Sequence, residues 1–287
     1  MKWADFSKLI KLRLTFLVVF SASISFLIGS KVNGGVNWFN WAILIAGGFL
    51  VTSAANCFNE IIEKDLDRLM KRTTDRPIPA GRMTTGQALV VGLFMGIFGT
   101  YLLGSLNLVT GLLSVFSIIL YAFIYTPSKR IGPIAVFAGA IPGALPPLIG
   151  YVAANGKIDV IAIILFGIQF IWQFPHFWAI AWVLDDDYKL AGFRLLPSGK
   201  RNLTSSIVIF IFTLALLPMS LLPTFFNFGG YYLGVVSLIF GVLFLYLAFA
   251  LLRTLKVESA KMLMYGSFIY LPVVQLMFLF DFIGKGK

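Results

Sequence analysis

Residues 38–68 of the chain read WFNWAILIAGGFLVTSAANCFNEIIEKDLDR. Residues 38–60 of this stretch are mostly apolar and long enough to cross a bilayer, which takes about 20 residues of helix. The acidic and basic side chains that follow are costly in hydrocarbon, so they belong at its surface. The stretch therefore predicts a membrane-spanning helix that leaves the bilayer in a dense polar segment.

The same apolar pattern recurs along the whole chain of 287 residues, of which 59 % are hydrophobic and 12 % are charged. With a mean hydropathy of +0.91, this composition excludes a water-soluble domain, in which about 25 % of residues are charged. We expect an all-α integral membrane protein, with nine transmembrane helices in one bundle around a central cavity and a single domain over 1–287. The predicted spans are 14–30, 38–60, 85–104, 108–126, 132–153, 158–183, 203–225, 231–252 and 263–283.

The net charge of +11 comes from Lys and Arg residues that are unevenly distributed between the loops. With the N-terminus in the cytoplasm, nineteen of the 23 lie on the inner side, as expected for cytoplasmic loops. The four on the outer side are Lys31, Lys157, Lys285 and Lys287. The charge thus indicates membrane topology and no nucleic-acid partner. It predicts a multi-pass protein of the bacterial inner (cytoplasmic) membrane, with the C-terminus outside.

Two residue types that often bind metals occur once each. Cys57 is the only cysteine, which excludes a disulfide framework and any multi-cysteine metal or iron–sulfur site. His176 is the only histidine, which excludes a zinc site of several histidines and bis-histidine haem ligation. The acidic residues are therefore the first candidates for metal binding.

Eight of the twelve acidic residues lie in two segments on the predicted cytoplasmic side. In the first, Asn59, Glu63 and Asp67 recur every four residues, which puts them on one face if the helix continues. Such oxygen ligands suit Mg²⁺. The second segment, 185–187, holds three adjacent carboxylates that repel one another without a cation. A solvated helix and a solvated loop are the alternatives. The predicted magnesium ligands are Asn59, Glu63, Asp67, Asp186 and Asp187.

Basic side chains accompany both acidic segments. Arg68, Arg72 and Arg76 follow the first segment, and Lys129 and Arg130 lie at the inner end of the fourth span. Arginine and lysine both donate hydrogen bonds to phosphate oxygens. A polar cap of this composition suits a metal-bridged diphosphate above an apolar cavity, with these five cations as its ligands.

These residues resemble the motifs of the UbiA superfamily of intramembrane prenyltransferases. The family's first motif reads Asn-xxx-Asp-xxx-Asp, and this chain departs from it only at Glu63, which reaches one methylene further. Residues 125–130 (YTPSKR) are similar to the family's Tyr-Pro-x-x-Lys-Arg segment. The resemblance implies a Mg²⁺-dependent prenyltransferase. The catalytic residues that it implies are Asn59, Glu63, Asp67, Lys129 and Asp187.

Three further stretches are similar to the haem O synthase branch of that superfamily, the protohaem IX farnesyltransferases. They are 139–150 (GAIPGALPPLIG), 175–181 (PHFWAIA) and 187–197 (DYKLAGFRLLP), in which Arg194 replaces a proline. This resemblance implies transfer of a farnesyl group from farnesyl diphosphate to a vinyl group of haem B, with addition of water. The products are haem O and pyrophosphate. His176 occupies part of the superfamily's second acidic motif, which favours haem over a quinone precursor.

His176 is predicted to ligate the haem iron or to orient the porphyrin, with Trp172 and Tyr125 as further haem contacts. The alternative for a lone histidine is a hydrogen bond between two helices. The expected partners are haem B, farnesyl diphosphate and the lipid bilayer. A hand-over of product to haem A synthase or to oxidase assembly is also expected, and the sequence leaves the oligomeric state open.

Three other functions stay open from the sequence. A related prenyltransferase would use a quinone precursor as the acceptor. A secondary transporter would hold charged residues at mid-membrane depth, and the predicted spans lack acidic residues there. An assembly scaffold for a respiratory oxidase would tolerate Asp67→Ala and Lys129→Ala, whereas an enzyme would lose activity in both.

Overall fold

The computed structural model describes residues 2–284, and its helices follow one another along that range. Lys285 and Lys287, which the sequence assigned to the outer face, lie outside the described residues. The α-helices are α1 (Trp3–Leu9), α2 (Leu12–Val32), α3 (Trp38–Asp67), α4 (Thr85–Leu106), α5 (Leu108–Ile119), α6 (Thr126–Ser128), α7 (Ile134–Asn155), α8 (Val160–Val183), α9 (Asp185–Leu190), α10 (Leu203–Phe225), α11 (Tyr231–Thr254) and α12 (Val257–Phe280). A π-helical turn, Leu120–Tyr125, joins α5 to α6.

Nine segments within residues 2–284 are long and apolar enough to cross a membrane, which confirms the predicted multi-pass helical architecture. Eight are single helices (α2, α3, α4, α7, α8, α10, α11 and α12), and the ninth is the continuous run Leu108–Ser128. An odd number of spans puts the two ends of the chain on opposite sides of a bilayer. The cytoplasmic location of the N-terminus stays a prediction.

Two helices extend furthest beyond the predicted spans. α3 continues to Asp67, so the polar stripe belongs to the same helix as the second span. α12 begins at Val257 and not at residue 263, so its first turns lie before the predicted span. Hydropathy detects only the part of a helix that lies in hydrocarbon, whereas backbone hydrogen bonding continues through the headgroup region.

The centre of the bundle is formed by α7 and α8, which are the most buried of the nine spans. The spans of α4, α5 and α11 bury the smallest share of their residues, and their outward apolar side chains suit contact with lipid. α7 stays one helix although Pro142, Pro146 and Pro147 lie inside it. The central helices therefore provide a continuous surface on which the polar residues of other spans can pack.

Close backbone contact between α2 and α7 depends on two glycines. A Cβ atom at Gly150 would lie 1.9 Å from the Ala22 carbonyl oxygen, and one at Gly29 would lie 2.8 Å from the Tyr151 carbonyl oxygen. Small residues at such positions let membrane helices approach closely. This contact fixes α2, and the N-terminal arm that precedes it, against the centre of the bundle.

We predict that Gly150→Ala lowers the stability of the protein by about 1–3 kcal/mol, the usual cost of overpacking a tight core. The added methyl group would meet backbone atoms of Ala22, which cannot move aside as a side chain could. The measurement is thermal unfolding of the purified protein in detergent. Gly48→Ala is the control, because its Cβ atom would meet only Val19 at 3.8 Å. Equal midpoints for the two variants would contradict the packing argument.

Candidate active site

The predicted polar stripe on α3 is present and buried. Asn59, Glu63 and Asp67 have 1 %, 4 % and 0 % of their surface exposed. Taking a carboxylate out of water costs several kcal/mol unless it is paired and hydrogen-bonded. The stripe therefore depends on cations that other segments bring to it.

Each member of the stripe contacts a cation from a different segment of the chain. The three pairs are Lys11 Nζ with Asn59 Oδ1 at 2.6 Å, Lys129 Nζ with Glu63 Oε1 at 2.7 Å, and Arg76 Nη1 with Asp67 Oδ2 at 2.6 Å. The cations come from the N-terminal arm, the segment after α6 and the loop after α3. Three segments that are distant in sequence thus converge on one helix face.

The irregular end of the fourth span positions Lys129. The helix widens into the π-helical turn just before this residue, and such turns are frequent at functional sites. Thr126 Oγ1 accepts a hydrogen bond from Asn59 Nδ2 at 3.0 Å. The Lys129 ammonium lies 4.7 Å from the centre of the Tyr125 ring. The turn therefore directs Tyr125, Thr126 and Lys129 to the stripe together.

Lys11 is a site residue that the sequence analysis missed, because it counted the basic N-terminal arm only as a topology signal. Its backbone is left-handed (φ 48°, ψ 55°), which costs energy in a residue other than glycine. Hydrogen bonds from Thr15 Oγ1 and Asn56 Nδ2 to the Ile10 carbonyl oxygen hold this turn. Burial and two nearby cations lower the pKa of Lys11 to about 7. A strained and partly buried lysine beside Asn59 indicates a functional position.

The N-terminal helix is tied to the loop after α3. Asp5 pairs with Arg82 at 2.8 Å, and Asp75 accepts hydrogen bonds from both Lys8 and Arg82. The hydrogen bonds from these two cations lower the pKa of Asp75. The arm and the loop therefore form one connected layer on the side of the bundle where α3 ends, and this layer holds Lys11 over the stripe.

The second acidic segment meets the same loop. Asp187 Oδ1 accepts a hydrogen bond from the backbone N–H of Lys71 at 2.7 Å, across 116 residues of sequence. The Arg72 guanidinium lies 5.8 Å from the centre of the Tyr188 ring. The two acidic segments lie on one side of the bundle, as the sequence predicted.

The site keeps carboxylate oxygens that could bind a metal ion. Asp67 Oδ1 and Asp187 Oδ2 are buried and have no hydrogen-bond partner within residues 2–284. In that range no three His, Cys, Asp or Glu side chains converge as a complete metal site. Mg²⁺ does not require three, because it is commonly bound by one or two carboxylates together with waters and phosphate oxygens. Asp67 Oδ1, on the same helix face as Asn59 and Glu63, and Asp187 Oδ2 are therefore oxygens of the kind that Mg²⁺ binds in that form.

Four predicted metal or diphosphate ligands are exposed, and one of them, Arg72, still lies against Tyr188 next to Asp187. Asp186 has 78 % of its side chain exposed and pairs with an arginine before α10, and the Arg68 side chain is 58 % exposed. Arg130 is exposed as well. Adjacent residues of a helix point about 100° apart, so Asp186 and Asp187 cannot face the same way. The geometry supports neither a metal role for Asp186 nor diphosphate roles for Arg68 and Arg130.

The predicted haem contacts divide between two parts of the structure. On α8, the Nδ1 atom of His176 is 2.7 Å from Ser267 Oγ, and its ring stacks on Trp172 with a centroid distance of 4.4 Å. Tyr125 lies instead beside Lys129. Trp172 and His176 therefore form one unit between α8 and α12, whereas Tyr125 belongs to the cationic part of the site.

The structure thus combines a membrane-spanning helical bundle, a charge-paired polar stripe and an opposed acidic segment. The UbiA prenyltransferase family matches residues 18–271, and the chain belongs to this family. Its curated relatives include proteins named protohaem IX farnesyltransferase. That of Cytophaga hutchinsonii is 45 % identical over 96 % of each chain. That of Christiangramia forsetii is 40 % identical over 97 % of this chain and 93 % of the relative. The predicted resemblance is thereby confirmed.

Solved structures show the same fold at low sequence identity. One reported for digeranylgeranylglyceryl phosphate synthase superposes with a TM-score of 0.81 over 97 % of both chains, at 20 % identity. A UbiA homologue from Archaeoglobus fulgidus, bound to DMAPP and Mg²⁺, superposes with a TM-score of 0.65 over 96 % of this chain and 97 % of that one, at 12 % identity. The likeness extends over nearly the whole chain.

We predict that Glu63→Gln lowers the free energy of unfolding by about 3 kcal/mol, because it leaves Lys129 mostly buried without its counter-charge. The double variant Glu63→Gln/Lys129→Met should recover most of this loss. Thermal unfolding in detergent is measured for Glu63→Gln, for Lys129→Met and for the double variant. Asp65→Asn is the control, because that side chain is 73 % exposed. If the two single effects simply add in the double variant, the two side chains do not act as a pair.

Proposed function

We propose that the chain transfers a farnesyl group from farnesyl diphosphate to a vinyl group of haem B, with addition of water, and releases haem O and pyrophosphate. The observation that carries this proposal is the buried stripe of Asn59, Glu63 and Asp67, each paired with a cation, on the side that also holds Asp187. A merely solvated helix would not bury these groups. The acceptor and the prenyl group follow from the names of the curated relatives.

We propose Mg²⁺ as the cofactor, held by Asn59, Glu63, Asp67 and Asp187. When bound, the ion neutralises negative charge that develops on the departing pyrophosphate. The support is the pair of buried carboxylate oxygens without a partner among the described residues, one on each side of the site. The homologue from Archaeoglobus fulgidus with bound DMAPP and Mg²⁺ is consistent with this assignment.

We assign the diphosphate to Lys11, Arg76 and Lys129, with Arg72 as a further ligand. An ammonium group has three donors and a guanidinium group has five, so each can keep its contact with α3 and still donate to a phosphate oxygen. The ion pairs with α3 hold the positive charges of Arg76 and Lys129 in place before the reaction begins. Such preorganised charges stabilise a leaving group without reorganisation at the moment of bond cleavage.

The allylic cation left by pyrophosphate must be shielded from water until the haem vinyl group attacks it. Tyr121 and Tyr125, whose ring centroids are 5.3 Å apart, offer aromatic faces that can stabilise such a cation. We assign His176 and Trp172 to haem contact in the apolar part of the bundle. Water then adds to the cation formed on the vinyl group, and no nucleophilic serine or cysteine is required.

The cellular setting is part of the proposal. We propose that residues 1–287 act as one domain in the bacterial inner membrane, with the N-terminus in the cytoplasm and the C-terminus outside. The support is the excess of Lys and Arg on the side that carries the site. Haem O would then pass to haem A synthase or to oxidase assembly.

We predict that Asp67→Asn lowers the rate of haem O formation at least about 100-fold, because it removes an anionic ligand from the proposed Mg²⁺ site and the counter-charge that positions Arg76. Asp65→Asn is the control, since this exposed carboxylate lies two residues away and outside the stripe. The assay supplies radiolabelled farnesyl diphosphate and Mg²⁺ with either haem B or 4-hydroxybenzoate. Farnesylation of 4-hydroxybenzoate and not of haem B would overturn the proposed acceptor.

We predict that Lys11→Met raises the KM for farnesyl diphosphate or lowers turnover by about tenfold or more, the size expected for one lost charged hydrogen bond. Arg13→Met removes a charge from the same arm at an exposed position and should leave both constants unchanged. Equal kinetics in the two variants would remove Lys11 from the diphosphate site and leave the other assignments in place.

A further inference from the structure

Ser267 on α12 receives two contacts from one face of α8. Trp172 Nε1 donates to its backbone carbonyl oxygen at 3.0 Å, and His176 Nδ1 lies 2.7 Å from its hydroxyl oxygen. The two aromatic rings are nearly parallel, with an angle of 16° between their planes. The position of the imidazole is thus fixed both by stacking and by a directed polar contact.

The direction of the His176 contact follows from the proton of the Ser267 hydroxyl. This hydroxyl donates to the Met264 carbonyl oxygen, one turn earlier on α12. A hydroxyl has one proton and two lone pairs, so toward the imidazole it can only accept. The Nδ1 atom of His176 must therefore carry the ring proton and donate a hydrogen bond to the Ser267 hydroxyl oxygen.

The other ring nitrogen of His176, Nε2, consequently carries no proton. Within residues 2–284 His176 takes part in no salt bridge, and its one side-chain hydrogen bond joins Nδ1 to Ser267. A buried imidazole without an anionic partner stays neutral. In the neutral ring with Nδ1 protonated, Nε2 presents its lone pair, which is the form that binds a metal. A histidine that binds a metal usually donates a hydrogen bond from its other ring nitrogen to a second residue.

We propose that Ser267 is a positioning residue that fixes His176 as the Nδ1–H tautomer and directs Nε2 to the iron of the haem substrate. This inference rests on the proposed function, because it assumes haem B as the acceptor. His176 lies seven residues before the end of α8, which is about 10 Å below the acidic segment at 1.5 Å per residue. Phe177 and Phe268 have ring centroids 5.3 Å and 5.2 Å from the imidazole and provide apolar surface for a porphyrin.

The competing explanation is a clamp that only joins two helices. A clamp would need the Trp172 contact with the backbone of Ser267, which survives any side-chain change at that position. A clamp would not need the Ser267 hydroxyl to accept a hydrogen bond from His176. The two explanations therefore differ in what Ser267→Ala does to bound haem, and they agree in expecting some loss of stability.

The test is a titration of the full-length protein in detergent with haem B, followed by absorption spectra and by resonance Raman spectra of the ferrous form. We expect His176→Ala to abolish the iron–histidine stretching band. Ser267→Ala should weaken haem binding about tenfold or more and shift that band, because the ligand loses its hydrogen-bond acceptor. Ser267→Thr keeps the hydroxyl and should restore both properties.

Ser220→Ala is the matched control. Ser220 on α10 is also fully buried and shares a hydrogen bond with Tyr270 on α12. Its removal therefore costs a comparable interhelical bond and leaves the contacts of His176 with Ser267 and Trp172 unchanged. It should lower the unfolding temperature and leave the haem spectra unchanged. Spectra and affinity of Ser267→Ala that match those of Ser220→Ala would overturn the inference and leave only a clamp.

The outcome separates this inference from the proposed function. If the wild-type protein forms farnesylated haem but His176→Ala leaves the Raman band in place, the inference fails and the proposed function stands. If the wild-type protein forms no farnesylated haem, the proposed function fails, and the inference about its substrate fails with it.

Discussion

Two carboxylates and an amide are buried where α3 leaves the bilayer, and the surrounding structure depends on compensating them. Burying Glu63 and Asp67 there requires cations at contact distance, because an uncompensated buried charge costs several kcal/mol, a large part of the net stability of a protein. The chain supplies Lys129 and Arg76 for this purpose, and it brings Lys11 to the amide of Asn59. The charge pairs thereby connect the N-terminal arm, α3 and the segment after α6.

This constraint explains features that are otherwise costly. The left-handed turn at Lys11 and the π-helical turn before Lys129 both depart from the favoured helix, and both end in a cation that faces α3. Local strain persists only where the rest of the structure holds it. The same cations that stabilise the protein are those assigned to the diphosphate, so stability and substrate binding draw on one set of contacts.

The site divides into an ionic layer and an apolar layer. The ionic layer joins the loop after α3 to Asp187, and it suits a metal and a diphosphate. Deeper in the bundle, aromatic contacts surround polar groups that are uncharged, among them His176 with Ser267 and Gln169 with Gln275. A reaction that separates a charged leaving group from a water-sensitive cation requires such a division, because the two need opposite surroundings.

The sequence alone determined the nine spans, since length and hydropathy are local properties of a helix. It also determined the stripe on α3, because a four-residue spacing repeats on one helix face. Only the tertiary structure decided that Asp187 and not Asp186 meets the loop after α3, that Lys11 contacts the stripe, and that Ser267 contacts His176. A contact between distant residues depends on how helices pack and rotate against one another, and no local pattern of residues encodes that rotation.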